Sequence, residues 1–149
     1  MRPVPALPQL RHLDEQECRD LLESTSFGRI AVTERALPTI VPVLFTVRDD
    51  TVVVVSPARS PALAASEGNI VTFEIDTYDP ATAGGWSVTV VGPVSLVSDS
   101  AEIEALDCSG IAPWAASHRH YIKIHMARIA GRQLMTACSS TEVGGGHRP

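Results

Sequence analysis

The 149-residue sequence has little basic charge, few aromatic residues and only three cysteines. Lys and Arg together number 12 against 17 Asp and Glu, so the formal net charge is −5 with neutral histidines. An acidic chain without a basic stripe is poorly suited to bind nucleic acid or an anionic membrane surface. The cysteines, Cys18, Cys108 and Cys138, form an odd set without a closely spaced pair. This pattern disfavours a disulfide framework and fits a reducing compartment.

Long hydrophobic runs and the common catalytic motifs are also absent. Prolines at positions 3, 5 and 8 interrupt the N-terminus, where a secretory signal needs an unbroken apolar run, and no later segment reaches membrane-spanning length. We therefore expect a cytoplasmic protein that does not bind a membrane. The sequence contains neither a nucleophile elbow nor a glycine-rich dinucleotide fingerprint. These absences favour chemistry carried out by a bound cofactor over chemistry by a protein nucleophile.

Three histidines near the C-terminus, His118, His120 and His125, are the one candidate metal cluster. On a strand, the first two share a face and the third points to the other face. Three ligands then do not converge on one ion. We predict no metal site.

Short runs rich in β-branched residues make up much of the remaining sequence. They lie at residues 27–33, 38–47, 51–56, 69–76, 86–97 and 121–129. The first three are separated by segments of hairpin length, and Gly92-Pro93 interrupts the fifth, which indicates a bend. Six short strands, few helices and no alternating βαβ pattern predict a mainly β protein, a small six-stranded antiparallel barrel.

The rest of the chain is assigned to helices and ends. Asp14 and Glu17 form an acidic capping box for a first helix that ends near Ser24 to Ser26, and a further helix is expected from about Asp99 to Leu106. We expect an extended arm over residues 1–12, a single domain over 13–138, and a disordered tail over 139–149.

The second run is apolar on both faces, which is unusual for a surface strand. Ile40, Pro42 and Leu44 lie on one face, while Val41, Val43, Phe45 and Val47 lie on the other. One face can fill a barrel, and the second needs a cover, either a partner subunit or a flat ligand.

The third run leads directly into a probable helix start at Ser60 and Pro61. With Arg59 beside it, this start could hold a phosphate or could be an ordinary helix N-terminus.

Five stretches carry a resemblance to a known family. They are FGRIAVT (27–33), PTIVPVLF (38–45), FEID (73–76), GWSVTVVGPV (85–94) and YIKIHMARIAGRQL (121–134). The chain resembles the pyridoxamine 5′-phosphate oxidase-like, FMN-binding split-barrel family, in its small actinobacterial branch.

The resemblance implies a six-stranded split β-barrel and a homodimer with two cofactor sites at the subunit interface. In such proteins the flavin ring lies along the second and third strands, and its phosphate is held where the third strand meets the short helix. The implied cofactor-binding residues are Pro42, Val43 and Leu44 at the ring, Val55 and Ser56 at the ribityl chain, Arg59 and Ser60 at the phosphate, and Trp86 from the partner chain.

One position departs from the family pattern. Relatives that hold FMN commonly have a lysine where this chain has Ala62, although the Arg59 guanidinium can also grip a phosphate. The resemblance implies an oxidoreductase that uses FMN or a deazaflavin coenzyme to transfer a hydride to a small substrate. The alternative is a non-catalytic split-barrel dimer that has lost FMN or binds another ligand, such as haem.

Overall fold

An antiparallel sheet accounts for most of the chain in the computed structural model, which describes residues 9–57, 67–111 and 119–135. The strands are β1 (Gln9–Leu13), β2 (Phe27–Glu34), β3 (Leu37–Arg48), β4 (Thr51–Pro57), β5 (Ile70–Asp79), β6 (Gly84–Leu96), β7 (Arg119–His125) and β8 (Arg128–Met135). The helices in these residues are α1 (Glu15–Glu23) and α2 (Ser100–Cys108). None of the described helices is long and apolar enough to cross a bilayer.

Six of the strands close into a ring. The strand order is β1-β8-β6-β5-β2-β3-β4-β7, and β6 also pairs with β7. The strands from β2 to β7 therefore form a closed barrel, and β8 and β1 extend from the side of β6. This arrangement confirms the predicted six-stranded antiparallel split barrel.

Strand β6 changes partner at the interruption seen in the sequence. Its first part, Gly85–Val91, pairs with β8, whereas Val94–Leu96 pairs with β7. Gly92 lies between the two parts, and a Cβ atom there would overlap the carbonyl oxygen of His125 at the end of β7. Glycine is needed here because another backbone passes directly over the strand.

The last predicted strand, 121–129, is wrong in extent, because the chain reverses within it. Met126 and Ala127 separate β7 from β8, and the Ala127 N–H donates to the carbonyl of His125 at 2.8 Å. Gly131 and Arg132, which could suggest a turn, lie inside β8. The reversal contains no glycine, proline or asparagine, so it carries no local turn signal.

The described part of the predicted N-terminal arm forms a strand, while residues 1–8 lie outside the described residues. Residues 9–13 form β1, which pairs with β8 from Gln9 opposite Met135 to Leu13 opposite Gly131. The segment QLRHL has no β-branched residue, so its strand conformation comes from this pairing rather than from propensity.

The barrel interior is filled by alternate residues of each strand and covered at one end by α1. Phe45 and Phe73 meet edge to face, with ring centroids 4.7 Å apart. Cys18 and Leu22 bring α1 onto this core, and the predicted capping box of Asp14 and Glu17 is present in both directions. Burial raises the pKa of the Cys18 thiol, as do nearby carboxylates, so this cysteine packs as a protonated side chain.

Helix α2 covers part of the outer surface of the barrel. Its Leu106 packs with Val53, Val55 and Tyr121 of strands β4 and β7. The Tyr121 hydroxyl also donates to Asp107 at 2.7 Å, which ties the end of the helix to the sheet.

The hairpin between β2 and β3 is strained at its two loop residues. Arg35 and Ala36 have φ values of 49° and 62°, a region that favours glycine. We expect Ala36→Gly to raise the free energy of unfolding by about 0.5 to 1 kcal/mol in urea titrations. The control is Ala81→Gly, at an exposed turn residue outside the positive-φ set, which should lower stability. Equal changes in both variants would contradict this account of the loop.

Candidate functional site

An open apolar face runs along the outside of β2 and β3. In register, Phe27 lies opposite Leu44, and Ala31 lies opposite Ile40, with Pro42 between them on β3. Phe27 is 54% exposed and Ile40 is 68% exposed. We refer to these five residues as the open face. The patch is apolar along β3, whereas Arg29 stands between Phe27 and Ala31 on β2. An exposed apolar patch of this kind marks an interaction or ligand-binding surface.

Alternation along β3 explains why this face is open. Val43 and Phe45 point into the barrel, where Val43 is only 4% exposed. The prediction of two apolar faces on this strand is therefore confirmed. The Val43 side chain, however, lies in the core and can offer a ligand only its backbone. Of the three residues predicted at a flavin ring, Pro42 and Leu44 alone present side chains on the open face.

Helix α2 limits the open face on the β4 side. Val55 pairs with Leu44 in register but is 3% exposed, since it packs in the cluster of Leu106 and Tyr121. Its side chain is thus closed to a ligand. Beside Leu44, between the start of β2 and the end of α2, a cavity of about 400 Å³ is lined by Ser26, Thr46, Gly110 and Ile111 among others.

An ion pair starts within this face, because Arg29 lies between Phe27 and Ala31 on β2 and directly opposite Pro42. Arg29 of β2 donates to Asp76 of β5, and both side chains are partly exposed. The two residues are 47 positions apart, so no local sequence pattern indicates the pair. It neutralises the one positive charge on β2 next to the apolar strip.

Trp86 is not part of the open face within one chain. It is half-buried, packs against the barrel core, and lies opposite Thr77 and Gln133. Strands β3 and β6 are separated by β2 and β5, which places them roughly 14 Å apart at about 4.8 Å per strand. Only a second chain could bring a Trp86 side chain to the open face.

The proposed phosphate end lies largely outside the described residues. Arg59, Ser60 and Ala62 belong to the segment 58–66, which the structure does not describe, and Ser56 is described by its backbone alone, opposite His120. A phosphate role for Arg59 and Ser60 stays a prediction.

The histidines are separated as alternation requires. His120 and His125 lie five positions apart on β7, so their side chains project to opposite faces, and His118 falls outside the described residues. His125 instead lies 3.3 Å from the Ser95 hydroxyl. Within the described ranges, no three His, Cys, Asp or Glu side chains are grouped to hold a metal ion.

Comparison with known proteins agrees with this architecture. The family model described as pyridoxamine 5′-phosphate oxidase matches residues 14–133. An uncharacterized protein from Mycobacterium tuberculosis is 37% identical over 99 residues, which is 61% of this chain and 63% of that relative. This chain therefore spans less than two thirds of that relative's length.

Two solved structures share the fold. The FAD binding protein from Mycobacterium smegmatis is 32% identical, with a TM-score of 0.71, covering 83% of this chain and 98% of that one. The FAD and haem binding protein from the same organism is 16% identical, with a TM-score of 0.68, covering 85% of this chain and 74% of that one, and shows likeness of fold alone. With the family model matched over 120 consecutive residues that include every strand of the closed barrel, the chain belongs to the pyridoxamine 5′-phosphate oxidase family.

Proposed function

We propose that this protein is a cytoplasmic homodimer that binds a flavin or deazaflavin at the subunit interface and uses it to oxidise or reduce a small molecule. The observation that carries the proposal is the open face, which leaves Phe27 and Ile40 exposed on an otherwise well-filled barrel. Covering this face with a second copy and a flat aromatic ring removes the apolar surface from water.

A second copy suits the open face because a two-fold interface brings the same patch together from both chains. At its centre, Ile40 lies opposite the short side chain of Ala31, and Pro42 lies opposite Arg29. The strip along β3 is therefore apolar. The Arg29–Asp76 ion pair would lie beside Pro42 within such a contact, where its two charges neutralise each other.

A flavin ring fits against Pro42 and Leu44, because both side chains are apolar and stand on the same face of β3. The adjoining cavity beside Leu44 would admit the edge of the ring or a substrate. The phosphate would be held by Arg59 and Ser60, Ser56 would flank the ribityl chain, and the partner's Trp86 would cover the site from the other chain. When bound, the cofactor supplies the hydride chemistry, and the protein binds it, orients one ring face and excludes water.

The similarity to a flavin-binding relative supports the cofactor class. The FAD binding protein from Mycobacterium smegmatis shares 32% identity with this chain over nearly its whole length. The family resemblance of GRIAV, IVPV and GWSV points the same way, and it extends to deazaflavin coenzymes as well as FMN.

A second candidate function is a non-catalytic dimer whose pocket binds another ligand, such as haem, or none. Two observations favour it: Ala62 stands at the family lysine position, and Val55 is closed beneath α2. These observations reduce the number of groups available to a ribityl phosphate.

Titration of the purified protein separates the two candidates. We expect FMN, FAD or a deazaflavin coenzyme to lose fluorescence on binding, because the ring stacks in an apolar slot, with saturation at one cofactor per chain. Haemin, added to the flavin-saturated protein, should not displace the flavin. Saturable haemin binding without flavin binding would favour the second candidate. Failure of every flavin to bind at tens of micromolar would contradict the proposal.

A further inference from the structure

A second concavity lies on the outside of β5, β6 and β8, next to the open face, since its Thr72 and Glu74 lie opposite Ala31 and Arg29 of β2. It has a volume of about 380 Å³, and the residues that matter in its wall are Glu74, Ser87, Thr89, Arg128, Ala130 and Arg132. None of these was predicted as a site residue. The size is that of a small-molecule pocket rather than a surface dimple.

The register of the strands explains the shape. Arg128 lies opposite Val91, Ala130 opposite Thr89, and Arg132 opposite Ser87. The two arginines therefore stand on the same face of β8, roughly 13 Å apart at about 3.3 Å per residue, with only a methyl group between them. Ala130 and Thr89 form a low floor over which both guanidinium groups can lean.

The charges around this floor are uncompensated. Asp76 lies in the same cross-strand row as Arg132, but its carboxylate is engaged by Arg29. Among the described residues, neither Arg128 nor Arg132 forms an ion pair. Glu74 stands on the far wall, two strands from β8, roughly 10 Å away at about 4.8 Å per strand. A net positive cleft results, on a chain whose overall charge is −5.

We propose that this cleft binds a small ligand through a phosphate or carboxylate group. Arg128 and Arg132 grip the anion with their planar donor forks, and the hydroxyls of Ser87 and Thr89 donate from the floor. At the Glu74 side of the cleft, the carboxylate repels a second negative group. We therefore expect a ligand whose negative charge lies only at the arginine side. The cleft uses residues other than those of the proposed flavin site.

Calorimetric titration with inorganic phosphate at low salt tests the proposal on the full chain. We expect Arg128→Gln and Arg132→Gln each to weaken phosphate binding about tenfold, the loss of one charge-assisted contact. Glu74→Gln should act in the opposite direction and tighten binding roughly twofold, since a repelling charge is removed. Acetate and succinate, titrated in parallel, distinguish a carboxylate ligand from a phosphate ligand.

Arg48→Gln is the matched control. Arg48 is exposed at the end of β3 and does not border the cleft, so its loss should leave phosphate binding unchanged. An equal loss in this control, or less than twofold weakening in both cleft variants, would overturn the proposal. So would no saturable binding of phosphate or carboxylate at millimolar concentration. If the cleft variants instead lower the sedimentation mass, the arginines contact a second copy, and the ligand proposal fails.

Discussion

Gly92→Ala should prevent the chain from holding its native fold. A Cβ atom at this position would overlap the carbonyl oxygen of His125 and lie 2.8 Å from its carbonyl carbon. Both are backbone atoms at the turn between β7 and β8, where no flexible side chain can move aside. We expect a loss of more than about 4 kcal/mol in the free energy of unfolding, in the range reserved for disrupted cores.

Gly84→Ala provides the control for this change, because it adds the same methyl group to the same strand. Its Cβ atom would meet the Thr82 hydroxyl at 3.3 Å and the Leu134 carbonyl at 3.4 Å, contacts that need only small shifts. We expect its stability to stay within about 1 kcal/mol of the parent protein. If the two variants unfold at the same urea concentration, the barrel is not closed tightly at Gly92.

Ile40→Asp should convert the proposed homodimer to a monomer. In the proposed interface, the change places an uncompensated carboxylate in an apolar contact. Two-fold symmetry places two such carboxylates in each dimer, so the desolvation penalty counts twice. A loss of about 4 kcal/mol raises the dimer dissociation constant roughly 1,000-fold. Sedimentation equilibrium over a range of protein concentrations measures this constant.

Ile70→Asp is the matched control for the interface. Ile70 is 65% exposed and Ile40 is 68% exposed, so both substitutions should leave the stability of a single chain almost unchanged. Ile70 begins β5, two strands from Ile40 and outside the five residues of the open face, so its replacement should weaken the proposed dimer much less. Equal dissociation constants for the two variants would show that the open face is not part of the dimer interface.

Much of the fold could be predicted because its determinants are local. The capping box at Asp14 follows from residues three positions apart, and the apolar faces of β3 follow from alternation. The closed ring of six strands follows from the number and spacing of short β-branched runs. Each of these depends on neighbours in sequence.

The division between β7 and β8 could not be predicted, because its determinant lies elsewhere in the chain. The space for the reversal at Met126 and Ala127 comes from Gly92, on a neighbouring strand more than 30 positions earlier. The sequence signal was visible at Gly92-Pro93 as a bend, but nothing in it indicated which segment would cross there. Strand β1 was missed for a similar reason, since its conformation depends on β8.

For the candidate site, too, only the features with local determinants could be predicted from the sequence. Alternation alone placed Pro42 and Leu44 on the open face, and the same rule assigns Val43 to the core, against its implied place at the ring. The burial of Val55 depends on how α2 packs, which no pattern within β4 records. The cleft of Arg128 and Arg132 needed the register of three strands.

Sedimentation velocity with added FMN, monitored at the visible absorbance of the flavin, tests the central claim most directly. We expect the bound flavin to sediment with a species of twice the 15.9 kDa chain mass. With Ile40→Asp in place of the parent protein, we expect the flavin to remain free and hardly to sediment. Flavin that sediments with a single chain, or does not sediment with the parent protein at all, would contradict a cofactor site built between two copies.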